Sequence, residues 1–227
     1  MKSNIGFFQS SIGKKFLMAG TGVLLLGFVI VHMLGHLQMF LGQNAYNHYA
    51  HTLKSLGLIL WILRIGLFLI FIVHVTTGVI LARENSLARP ICYTYFQTVQ
   101  ASLASRTMFF SGMLISLFIV YHLLHFTIGV TNPEIFKLTD SEGRPDVYSM
   151  MIFSFKNYFI TTIYFLAMLA LSFHLSHGFF SAFQTLGINK PEYDGKIKLV
   201  SIALSLIIFL GFISVPVGIL AGIIQPI

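Results

Sequence analysis

The sequence predicts an all-α integral membrane protein, a bundle of five transmembrane helices joined by modest loops. Three observations lead there. Fifty-six per cent of the 227 residues are apolar and only 9% are charged, which leaves too little polar surface to cover a soluble fold. Five separate stretches reach the roughly 20 apolar residues that a hydrocarbon core demands. The basic residues sit singly or in pairs at the ends of those stretches, so the net charge of +7 reads as a topology signal and not as a nucleic-acid surface.

The first stretch, 16–41, follows Lys14 and Lys15. It exceeds a signal-peptide core and lacks a small-residue cleavage site, so it is read as a span and not as a cleaved leader. The others are 58–82, 108–130, 158–182 and 199–221, with Pro216 expected to bend the last. Backbone groups in lipid must be satisfied internally, which makes each run a helix. The connections are too short for a soluble domain, so residues 1–227 form one transmembrane domain. The N-terminus and the loops 83–106 and 183–198 hold nine of the fourteen Lys and Arg. By the positive-inside rule the N-terminus is cytoplasmic and the C-terminus outside. The single cysteine, Cys92, rules out a disulfide framework, a thiolate zinc site and an iron–sulfur cluster held by this chain alone. The many phenylalanines read as packing.

Nine histidines are present, and seven of them, His32, His36, His74, His122, His125, His174 and His177, fall within or at the edges of the first four spans. An ionisable side chain at membrane depth is costly and marks a functional site by default. At about 1.5 Å rise per residue, His32 lies roughly 25 Å beyond Lys15 and His122 roughly 24 Å beyond Arg106, both in the outer half. His74 lies about 13 Å before Arg83, and His174 stands eight residues before Ala182, both in the inner half. Two depth-matched pairs follow: His32 with His122 on spans one and three, His74 with His174 on spans two and four. Two neutral imidazoles at one level fill both axial positions of a haem iron, which suits electron transfer better than oxygen binding. No C-x-x-C-H string occurs, so the expectation is two non-covalent haems b. His36, His125 and His177 follow a proposed ligand by three or four residues on the same helix side and are its rivals. Pairing them degrades the depth match or breaks the repeated His-x-Ser/Thr-x-Gly string at His74 and His174.

Gly22 and Gly112 each stand ten residues before an outer-pair histidine, about 15 Å deeper. At that level they would leave room for the inner porphyrin. Gly78 and Gly178 lie one turn beyond His74 and His174. Small residues that only let helices approach closely give the same pattern.

Several strings occur in order along nearly the whole chain: Ser11-Ile-Gly-Lys-Lys15, His32, Asn44-Ala-Tyr-Asn-His-Tyr-Ala-His51, His74, Tyr121-His122, Asp146-Val-Tyr-Ser-Met150 and Phe173-His174-Leu-Ser-His-Gly178. Together they resemble the single-chain, di-haem cytochrome b membrane anchor of bacterial succinate dehydrogenases and fumarate reductases. The resemblance implies that His32 and His122 hold the haem distal from the catalytic subunits and that His74 and His174 hold the proximal one, in agreement with the pairing from depth. It also implies a flavoprotein subunit carrying FAD, an iron–sulfur subunit on the cytoplasmic face of the inner membrane, and menaquinone as the lipid-soluble partner. The setting would be the respiratory chain and the tricarboxylic acid cycle. There is one departure. Some similar fumarate reductases carry a glutamate, thought to conduct protons, two residues before the fourth-span ligand, and here that position is Ser172.

Quinone chemistry at the outer edge needs hydrogen-bonding and proton-exchanging groups, for which His36, Asn44, His48, His51 and Lys54 are candidates; an ordinary polar loop is the alternative. Arg64 is placed to pair with a distal haem propionate or to anchor its helix at the interface. At the inner edge Lys14, Lys15, Arg106, Ser181 and Thr185 could reach a propionate or the partner subunit. Three other readings compete. A di-haem anchor of the formate dehydrogenase or nitrate reductase type would differ in its partner subunits. A histidine-rich metal transporter would want intramembrane carboxylates or broken spans, of which the spans show hardly any sign. A purely structural anchor would tolerate loss of the four ligands.

Overall fold

The structure, a computed structural model, describes residues 6–7, 10–88, 102–188 and 190–226; Cys92, Arg89 and Lys2 lie outside them. Among the described residues the chain is helical, with one isolated bridge between Thr139 and Pro145 and no strand. Among the described residues five helices are long and apolar enough to cross a membrane, one at each of the stretches expected from sequence, with ends that differ by a few residues.

Helix α1 (Ser11–Leu37) starts where the Ser10 hydroxyl accepts the Gly13 N–H, a side-chain cap for an otherwise orphaned donor. A 3₁₀ turn, Gln38–Leu41, extends it. Then come α2 (Gln43–Ser55), α3 (Leu58–Leu87), the short α4 (Leu103–Arg106) and α5 (Met108–His122). A π-helical turn, Leu123–Ile128, prolongs α5 as far as Gly129. There φ is +76° and a Cβ would run into the Phe136 ring, so the stop requires glycine. After α6 (Pro133–Phe136) and α7 (Val147–Phe155), α8 (Tyr158–Thr185) returns, and α9 (Asp194–Leu220) continues through Pro216. The end of the bundle where α1 begins is called the near end, and the opposite one the far end.

Helices α1, α3, α5 and α8 close a ring in which α1 packs on α3 and α8, and α5 packs on α8 and, along a thinner seam, on α3. Across the diagonals α1 faces α5 and α3 faces α8. Helix α9 lies outside the ring against α8 and α1. Lipid tails are as apolar as leucine, so close packing must hold such helices together. Leu26, Met33 and Ile208, backed by Phe179 and Phe212, make that joint between α1, α8 and α9. By contrast α3 leaves Leu58, Trp61, Ile65, Phe68 and Leu69 exposed, as a span facing lipid does.

The far end carries a cap that the apolar runs do not announce. The 44–51 segment, read as an external loop, is α2, and it packs against α7, which also contacts α8 and α9. Met39, Tyr46, Tyr148, Ile152, Phe155 and Val215 form the apolar part. The polar part centres on Asn47, which is fully buried. Its Nδ2 donates to Asp146 Oδ1 at 2.9 Å and Asp140 Oδ2 at 3.2 Å, and its Oδ1 accepts the Tyr148 N–H at 2.9 Å. Gln43 and the Ser149 N–H complete the shell of Asp146, which caps α7.

Replacing Asn47 by Leu takes one hydrogen bond from each of two carboxylates that keep their other partners and leaves the buried Tyr148 N–H unpaired, which costs roughly 1–3 kcal/mol. A clear drop in the thermal midpoint in detergent is the expected result, and an unchanged midpoint would remove the knot from the stability of the cap. The knot also has a pH signature. Burial alone would raise the Asp146 carboxyl, but hydrogen bonds from Ser149, Asn47 and Gln43 outweigh it and leave it below the ordinary carboxylate range. A depressed folded pKa contributes stability above the unfolded value and loses it as pH falls through the folded one. The cap therefore loosens on the acid side of the carboxylate range.

Candidate functional site

The histidines meet across the diagonals of the ring, in the pairs that depth predicts. Near the near end, His74 on α3 and His174 on α8 have ring centroids 6.5 Å apart and planes at 69°. Toward the far end, His32 on α1 and His122 on α5 stand 5.9 Å apart at 87°. Two imidazoles on opposite sides of one metal, at bonds of about 2.0–2.1 Å plus a ring radius of about 1.2 Å each, have centroids roughly 6.4 Å apart. The near pair fits that spacing and the far pair is slightly tighter.

The near pair is held by a repeated device. Thr21 Oγ1 lies 3.0 Å from His74 Nδ1, and Ser111 Oγ lies 3.1 Å from His174 Nδ1. The next residue in each case is glycine. A Cβ on Gly22 would stand 3.3 Å from His74 Cε1, and one on Gly112 would stand 3.4 Å from His174 Cε1. Both glycines thus lie at the level of the near pair, as expected, and the space they leave admits the imidazole ring itself. Gly78 and Gly178 face the Met18 and Met108 side chains in turn. The motif Met-x-x-Thr/Ser-Gly therefore occurs on α1 and α5, each copy seated against a His-x-x-x-Gly on α3 or α8.

The far pair is embedded in a wider network. His32 Nε2 is hydrogen-bonded to His36 Nε2 at 3.2 Å, and His36 Nδ1 to the Tyr46 hydroxyl at 3.0 Å. Phe28 stacks on His32, and Phe212 from α9 touches both rings. On the other side Tyr164 joins His122 Nδ1 at 3.3 Å and His125 Nδ1 at 3.0 Å, and Asn132 reaches His125 Nε2 at 3.3 Å. His125 is buried in the π-helical turn, a local distortion common at functional sites. For His32 to offer Nε2 to a metal, its bond to His36 has to be exchanged.

Other expected residues are scattered. Arg64 is exposed, with its guanidinium 5.4 Å from the Trp61 ring centroid, the posture of an interface anchor. His48, His51 and Lys54 are exposed on α2, and Asn44 accepts from Arg144. Lys14 pairs with Glu84 and ties α1 to α3 at the near end, where Lys15 and Arg106 are exposed and Ser181 and Thr185 half-buried. His177 is half-buried one turn from His174. Ser172 donates to the Ser205 carbonyl at 3.3 Å, so it faces α9 and not the ring interior.

Sequence reasoning missed Thr21, Ser111, Tyr46 and Tyr164. The first two had a signal: a hydroxyl residue directly before each of two glycines that stand ten residues ahead of a membrane histidine. Comparison with protein-family models, curated proteins and solved structures yields no match.

Proposed function

We propose that this chain is the di-haem cytochrome b anchor of a succinate:quinone oxidoreductase. It would pass electrons between an iron–sulfur subunit at the near end and a quinone, menaquinone by resemblance, toward the far end, or the reverse when fumarate is reduced. The observation that carries the reading is the placement of two imidazole pairs on the two diagonals of one helical ring, at two depths. When bound, two haems b supply one-electron carriers on either side of the bilayer centre. His74 and His174 would hold the near one and His32 and His122 the far one; the two histidine pairs themselves lie about 15 Å apart along the axis by helical rise.

The chain's own residues do the rest. Thr21 and Ser111 orient the near imidazoles, and Gly22 and Gly112 make room for them. Phe28 and Phe212 pack on His32, and Phe118 and Phe126 on His122. His36, with Tyr46 behind it, gives the far end a group able to exchange protons beside the electron carrier, as quinone reduction demands. The near end is the cytoplasmic one in this reading, since the basic residues gather there.

The test is purification from native membranes with natural partners, followed by haem counting, subunit identification and assay of succinate-dependent quinone reduction. Two protohaems and a covalently flavinylated partner are expected. A molybdenum-bearing partner would move the chain to the formate or nitrate type, and bound zinc or copper without haem would favour transport. In the same preparation His177→Leu is expected to keep both haems, and loss of one would transfer ligand status to His177.

A further inference from the structure

We infer that Thr21 and Ser111 are positioning residues that fix the tautomer and orientation of the two near-pair histidines and thereby set the redox potential of the group they clamp. The inference rests on the di-haem reading above and concerns residues to which that reading gives no part in tuning.

A hydroxyl has one O–H to donate and lone pairs to accept. Thr21 Oγ1 lies 2.7 Å from the Leu17 carbonyl and 3.1 Å from that of Met18, in its own helix. Ser111 Oγ lies 3.1 Å from the Met108 carbonyl. Each hydroxyl proton is therefore committed to the backbone one turn behind it, and the oxygen is left to accept. What it accepts is the Nδ1–H of His74 or His174. A hydroxyl oxygen whose proton is given to the backbone can only accept, so the arrangement places the ring proton on Nδ1 and leaves the lone pair on Nε2.

That is the state a metal-binding histidine needs, and a hydrogen bond from its other ring nitrogen raises its basicity toward the metal. A more basic ligand stabilises the oxidised, more positive iron and lowers its potential. The two ligands of the near pair receive the same treatment from the two copies of Met-x-x-Thr/Ser-Gly, on α1 and on α5. The far pair does not. His122 faces the hydroxyl of Tyr164, shared with His125, and His32 uses Nε2 on His36. Fixing both near ligands by acceptors from the neighbouring helices also sets the angle between their planes, 69° in this structure.

The experiment is a redox titration of the purified complex, read by haem absorbance, for Thr21→Val, Ser111→Ala, the double variant, and the hydroxyl-keeping Thr21→Ser and Ser111→Thr. The near-haem signal is assigned as the one missing in His74→Leu. Thr21→Val and Ser111→Ala are each expected to raise the near-haem midpoint by up to a tenfold change in the reduced-to-oxidised ratio, about 59 mV for one electron. The far haem should stay put, the double variant should shift further than either single one, and Thr21→Ser and Ser111→Thr should titrate like the natural protein. Loss of the near haem in Thr21→Val or Ser111→Ala that the hydroxyl-keeping variant restores supports the same role. Two retained haems with unmoved midpoints, equal shifts of both haems, or haem loss that a hydroxyl does not restore would overturn it. A natural complex with fewer than two haems would instead defeat the di-haem reading itself.

Discussion

If the proposed di-haem function holds, leucine at position 74 or 174 is expected to remove one of the two proposed haems and to cut succinate-dependent quinone reduction on the order of a hundredfold or more. Loss of an outer-shell partner of a metal ligand commonly costs 10–100-fold, and loss of the ligand itself leaves one axial position empty. Leucine cannot bind iron, and nothing nearby replaces the imidazole, because His177 lies one turn toward the near end and Ser111 and Thr21 offer only hydroxyls committed to their own helices. The reduced-minus-oxidised spectrum should lose about half its amplitude, with the remaining band six-coordinate. The five spans do not depend on either ring, so the protein should still insert. Two six-coordinate haems after either change would show that the near-pair assignment is wrong.

What the sequence discloses follows from how strongly lipid constrains a chain. A span must be about 20 apolar residues long and helical, so all five were legible, with boundaries that shift by a few residues where polar ends such as Arg83–Leu87 or Asp194–Lys198 prolong the helix past the hydrocarbon. Depth also follows from counting, because 1.5 Å per residue is fixed by the helix. That is why the pairing of His32 with His122 and of His74 with His174 follows from the sequence alone. The pairing needs only antiparallel neighbours and equal depth.

The far-end cap escaped because no such constraint acts there. Helix α2, Gln43–Ser55, is mostly polar and buries only Tyr46 and Asn47. With so few buried positions the sequence shows no clear apolar period. Helix α7 is short and apolar all round, which periodicity cannot tell from a strand or a buried loop. Its start was marked, since Asp146 stands three residues before Ser149 and accepts its N–H. The π-helical turn at Leu123–Ile128 changes which faces His122 and His125 present. No composition signal precedes it, and both end on one tyrosine hydroxyl. Tyr164 and Tyr46 were missed for a related reason: their partners come from different helices, and only the folded arrangement supplies the contact.

The far pair gives the second large effect. His32 and His36 share one hydrogen bond through their Nε2 atoms, so each is a contender for the proposed haem iron opposite His122. Two observations separate them. The His32 ring lies across the diagonal from His122 at close to the spacing of a shared metal, while His36 is anchored through Nδ1 to Tyr46 in the cap. His32 already stands at the level of His122, whereas His36 lies one helical turn, about 5.4 Å, farther out, so His32 is the expected ligand once the imidazole–imidazole bond is exchanged. His32→Leu and His122→Leu are therefore each expected to remove the far haem, with electron delivery to quinone falling on the order of a hundredfold. His36→Leu should keep both haems in the spectrum and slow turnover with quinone by a smaller factor, because it leaves the carrier but removes a proton-exchanging group beside it. The decisive measurement is the haem count in His36→Leu. If that variant loses the far haem and His32→Leu retains it, the ligand is one turn farther out, and the Tyr46 hydroxyl becomes its outer-shell partner, in the position that Thr21 and Ser111 hold for the near pair.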